Sequence, residues 1–70
     1  MNNAQTAADA INNQDDRSLI PAIKTINRLG LKALALGSGV GSAFEFEDGS
    51  IIRSDSAQPS ATWSAEPNNV

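Results

Sequence analysis

The chain predicts a small α+β domain, one or two helices packed on an antiparallel β-meander of three to four strands. Three observations carry that expectation. The stretch Ala43-Phe44-Glu45-Phe46-Glu47-Asp48-Gly49-Ser50-Ile51-Ile52-Arg53 alternates apolar and polar residues up to an Asp-Gly and resumes beyond it, a β-hairpin signal. Upstream, Leu19, Ile20, Ile23, Ile26 and Leu29 recur at helical spacing as one apolar stripe, with Lys24, Thr25, Asn27 and Arg28 outside it. Finally, 70 residues suffice for one domain, 1–70, and a thin core, since a chain of this size buries only about 60% of its unfolded surface.

At the N-terminus, Ala4, Ala7, Ala8 and Ile11 fall at i, i+3, i+4 and i+7, and Thr6 with Asp9 resembles a capping box, so a short helix over about 3–12 is expected. Its face is nearly all Ala. Such a stripe buries little area and an isolated helix of this length is marginal in water, so it is expected to order only against a partner. Residues 1–16 therefore read as a short helix and a polar linker, Asn12-Asn13-Gln14-Asp15-Asp16, ahead of a core over 17–65.

The second helix is bounded by clear signals. Ser18 is the natural N-cap and puts Pro21 in the first turn, where its missing N–H has no helical partner to lose. Gly30 suits the C′ position, with Leu31 reaching back to Ile26 in a Schellman ending. Leu31-Lys32-Ala33-Leu34-Ala35-Leu36 has helix-favouring composition, but an apolar run after a helix and a Gly commonly returns as a strand, and a strand is expected. Gly37-Ser38-Gly39-Val40-Gly41 then reads as a flexible connection to the hairpin. Beyond the hairpin, residues 54–59 read as a loop, Ala61-Thr62-Trp63-Ser64-Ala65 as a last strand, and 66–70 as a frayed tail.

The hairpin also predicts its own register. A two-residue Asp48-Gly49 loop would set Phe44 against Arg53 and Glu45 against Ile52, mixing charge into both apolar rows. A three-residue loop, Glu47-Asp48-Gly49, with Gly49 left-handed in a G1 bulge, pairs Phe44 with Ile52 and Phe46 with Ser50. The second register is preferred. It gives one face of Phe44, Phe46 and Ile52 that the helix stripe and Trp63 can cover, and another of Glu45, Ile51 and Arg53, with Arg53 diagonal to Glu45.

Composition excludes several functions. The net charge of −3 with five basic residues argues against an electrostatic nucleic-acid footprint. No apolar run approaches the roughly 18 residues of a membrane span, and Met1-Asn2-Asn3-Ala4 lacks a signal-peptide start, so a cytoplasmic protein without a membrane partner is expected. The chain contains no Cys and no His, which removes disulfides, thiolate metal sites and the commonest general bases and nucleophiles. No catalysis, cofactor or metal is expected.

Two motifs are weaker than they look. Residues 34–41 resemble a strand entering a Gly-rich phosphate loop, but a strand follows instead of a helix N-terminus, and the Lys-Ser/Thr of a P-loop is missing. A winged-helix reading, with the hairpin as wing, would make the protein a small nucleic-acid-binding transcriptional regulator. However, Glu47 and Asp48 at the wing tip would meet phosphate with like charge.

The favoured reading is a non-catalytic protein-binding module, a small regulator, inhibitor or accessory subunit of the kind that phages and mobile elements often encode. Glu45, Glu47 and Asp48 are expected to form an acidic rim facing a basic partner protein, with Ile51 and Arg53 beside them. Trp63, the one Trp, reads either as a core anchor or as an interface contact on a last strand whose edge is open to strand addition or a dimer mate. A thin core without staples also leads us to expect a homo-oligomer or a heterocomplex.

Overall fold

The computed structural model describes residues 2–36 and 42–66, so the Gly-rich connection at 37–41 and the end of the expected tail, 67–70, lie outside the described residues. Two helices, α1 (Asn3–Asn12) and α2 (Leu19–Arg28), precede four strands, β1 (Ala33–Leu36), β2 (Ala43–Phe46), β3 (Ile51–Ser54) and β4 (Trp63–Ala65). The strands form one antiparallel meander in the order β1-β2-β3-β4. The result is the α+β architecture expected, with its upper strand number, and 31–36 does return as a strand.

The three-residue hairpin register is the one observed. Phe44 faces Ile52 and Glu45 faces Ile51, and the Phe46 N–H donates to Ser50 O at 2.9 Å. Gly49 has φ +85°, a left-handed conformation that a side chain would strain, and its N–H closes the turn on Phe46 O. This turn chemistry aims Phe44, Phe46 and Ile52 at the helices. Phe44 stacks on Trp63 with ring centroids 6.0 Å apart.

The N-terminal helix is central rather than peripheral. Ala4, Ala7, Ala8 and Ile11 are all buried, and α1 makes the close helix approach to β4, β3 and β2. Its expected dependence on a partner is thus met within the chain: small Ala side chains let the backbone settle directly onto the sheet face. The N-cap is Asn2, whose Oδ1 accepts the Gln5 N–H at 2.8 Å, and not Thr6. Ala4, Ala7, Ala8 and Ile11 thus share one core cluster with residues of α2 and the sheet.

The second helix keeps its expected ends but turns a different face inward. Gly30 has φ +76°, with Gly30 N–H bonded to Asn27 O and Leu31 N–H to Ile26 O, the double bond pattern of a Schellman motif. Ala22, Thr25 and Ile26 are its buried residues, Ile23 is half-buried, and Leu19, Ile20 and Leu29 are exposed, Ile20 to 60%. The physical reason lies in its partner. Because α2 packs against the Ala-rich α1, short side chains fit the contact, and Thr25 satisfies its hydroxyl on Pro21 O at 3.0 Å.

The polar stretch between the helices is anchored. Arg17 donates to Ala61 O (2.5 Å), Gln14 O (3.0 Å) and Ser60 O (3.2 Å), and its own carbonyl accepts the Trp63 indole N–H at 2.8 Å. One guanidinium therefore ties the α1–α2 connection to the β3–β4 loop.

Candidate partner-binding surface

The two faces of the sheet divide the expected site residues. Residues paired across the ladder share a face, so Leu34, Glu45 and Ile51 lie in one row on the side away from the helices, with Arg53 on the same side. Glu45 and Ile51 are half-buried there, and Glu47 and Arg53 are exposed. Arg53 reaches Glu66 rather than Glu45, with Nε and Oε1 2.5 Å apart, an exposed pair that contributes little to stability.

Asp48 is occupied in holding the fold. The G1 turn brings it to the start of α1, where Oδ2 accepts the Asn3 N–H at 2.9 Å and Oδ1 accepts the Ser50 N–H at 2.9 Å. The Ser50 hydroxyl also donates to this carboxylate, and its oxygen accepts the Ala4 N–H at 3.0 Å. With Asn2 holding Gln5, the first three N–H groups of α1 are satisfied, two of them by the hairpin. The hydrogen bond from Asn3, followed by those from Ser50, holds the Asp48 carboxyl below the usual carboxylate range. Ser18 does the same to Asp16, by its hydroxyl first and then its N–H.

Trp63 is not a surface contact. Only 2% exposed, it lies in the core on Phe44 with its indole N–H bonded to Arg17 O, so of the two roles expected for it the core anchor is the one observed and the interface contact is not. The edge of its strand is also blocked where an open one was expected. Trp63 N–H donates to Asn12 Oδ1 at 2.8 Å and Asn12 Nδ2 donates to Trp63 O at 2.6 Å, so a side-chain amide stands where another strand would pair.

The opposite edge differs. Outside the β1–β2 ladder, no side chain or loop among the described residues hydrogen-bonds to the backbone of 33–36. Leu34 is 72% exposed on this strand and Ala35 is exposed on the other face. Beside it lies a groove of about 300 Å³ lined by Lys32, Ala33, Leu34, Glu45, Phe46 and Glu47. The ladder puts Leu34 opposite Glu45 and Ala33 opposite Phe46, and the same register continued one residue past its end sets Lys32 level with Glu47. The groove is therefore aliphatic along its floor and charged at its rim. Sequence reasoning missed Leu34 and Lys32 because alternation predicts which face a residue occupies but not whether anything covers that face. A shallower depression of about 350 Å³ surrounds the Arg53–Glu66 pair.

Among the described residues no cluster of three or more His, Cys, Asp or Glu could hold a metal ion, and no helix is long and apolar enough to cross a membrane. Fold and surface together define a small α+β meander domain with one sheet edge blocked at Trp63 and the other uncovered by any described residue. No protein-family model, curated protein or solved structure matches the chain.

Proposed function

We propose that this protein is a cytoplasmic, non-catalytic module that binds another protein through the sheet face carrying Glu45, Glu47, Ile51 and Leu34. The observation that carries the reading is the groove beside β1, where an exposed Leu34 adjoins two carboxylates that take part in no ion pair among the described residues. An apolar floor supplies contact area, and rim acids steer a basic partner and set its orientation. Asp48 plays no part in this rim, since its carboxylate holds α1.

The nucleic-acid reading has less to support it. Lys24 and Arg28 share the α2 surface, but Arg17 and Arg53 are engaged with loop carbonyls and with Glu66, and the hairpin turn carries Glu47. The reading is tested by reversing Glu45 and Glu47 to Lys while leaving Asp48 intact. The melting temperature is expected to stay near that of the parent, and association with a partner recovered by affinity capture to slow at low salt. A folded double variant that associates as fast as the parent would overturn the reading; steep salt dependence of binding to duplex DNA would favour the alternative.

A further inference from the structure

We propose that the open edge of β1 takes up an extended basic segment of another protein as a fifth strand, laying the methylene stems of its Lys or Arg side chains beside Leu34 and carrying their charge to Glu45 and Glu47. The inference rests on the protein-binding reading and adds the partner's chemistry and its mode of docking.

The two edges of the sheet are treated differently by the sequence. At β4 the Asn12 amide occupies the outward N–H and C=O of Trp63, so pairing there is blocked at the strand's first residue. At β1 the outward backbone groups have no partner among the described residues. Edge strands are usually protected by charge, Pro or a bulge, and Ala33-Leu34-Ala35-Leu36 contains none of these. An open ladder is a template for main-chain hydrogen bonds, with specificity left to alternate side chains.

Charge selects the occupant. The groove rim bears Glu45 and Glu47 against Lys32, and the chain as a whole carries −3, so a second copy would bring more negative charge to a surface already negative. A basic segment would not. Neighbouring strands lie about 4.8 Å apart, so a fifth strand would sit roughly 10 Å from β2. A Lys or Arg stem can cross that gap over Leu34, its methylenes on the aliphatic floor and its charge at the glutamates.

The test uses isotopically labelled protein titrated with the acetylated, amidated hexapeptide Lys-Val-Lys-Val-Lys-Val, and with Glu-Val-Glu-Val-Glu-Val as the control. Amide shifts and slowed hydrogen exchange are expected at β1, with affinity about tenfold weaker for the folded Glu45→Gln/Glu47→Gln variant and for the acidic peptide. Perturbation centred on β4 or on the Arg53–Glu66 depression, or none at β1 up to millimolar peptide, would overturn the inference. So would concentration-dependent shifts at β1 without peptide and with a doubled hydrodynamic mass, which would assign the edge to a second copy. If the Lys variants of Glu45 and Glu47 slow capture of the natural partner while the peptide leaves β1 untouched, strand addition fails and the protein-binding reading stands. If neither responds, both fail.

Discussion

Asn12, the last residue of α1, and Trp63, the first of β4, exchange two hydrogen bonds through one side-chain amide, at 2.6 and 2.8 Å across 51 positions of sequence. The pair fixes the end of the helix on the sheet and blocks the β4 edge at its first residue. Replacing Asn12 with Ala leaves a half-buried N–H and C=O without partners, which should cost about 1–3 kcal/mol. Denaturant titration measures the loss. Increased self-association of the folded variant in light scattering is the second expected outcome, and an unchanged midpoint with no association would contradict the blocking role.

The close seat of α1 makes a steric prediction. Ala7 and Ala8 are buried against the sheet, and a larger side chain at either must push the helix away. Ala7→Leu should destabilise by about 1–3 kcal/mol, although Leu is a good helix former and lengthens the apolar stripe. The opposite change on β1, Leu34→Ser, touches a residue 72% exposed and should leave stability within about 0.5 kcal/mol. A gain in stability from Ala7→Leu would mean that the helix is not closely docked.

The hairpin faces are distinguished by a pair of truncations. Phe44 is buried on Trp63 while Ile51 is half-buried on the other side of the sheet. Phe44→Ala should cost about 3–5 kcal/mol, a large share of a small domain's stability, and Ile51→Ala far less. Equal losses in urea titrations would contradict the observed register.

These contrasts show what local pattern conveys. The hairpin register was legible because Gly49 and the alternation around it restrict the loop to one length that keeps like residues together, and α2 was legible at both ends because Ser18, Pro21 and Gly30 have positional meanings. The burial of α2 was not. Leu19 and Ile20 look like core by periodicity, yet the orientation depends on α1 being Ala-rich and therefore on a partner's volume, which no window of α2 contains. The same holds for Arg17 and Asn12, whose bonds reach Ala61 and Trp63 across 44 and 51 positions. For the candidate surface, alternation alone puts Glu45 and Ile51 together on the face away from the helices, as their pairing across the ladder does. Asp48 looked like the equal of Glu45 and Glu47, and only the trans-capping of α1 sets it apart.

That distinction between the acids predicts a separable pH response. Hydrogen bonds from Asn3, then from Ser50, favour the ionised Asp48 carboxyl, so its folded pKa lies below the unfolded value of about 3.9. The folded state binds this proton less readily than the unfolded chain does. Its contribution is therefore fully present above the unfolded value and is lost as pH falls through the folded one. Asp16, lowered by Ser18, acts in the same direction. The parent melting temperature should fall as the pH is taken below about 4, and Asp48→Asn should start lower at pH 7 but fall less over the same interval. Adding Asp16→Asn should flatten the curve further. Glu47→Gln, which leaves the α1 cap intact, should start near the parent at pH 7 and so separates loss of the cap from loss of one negative charge. Melting curves of the four proteins between pH 7 and pH 2 decide the matter: if Asp48→Asn falls in parallel with the parent, the carboxylate is not linked to folding and the capping of α1 by the hairpin is wrong.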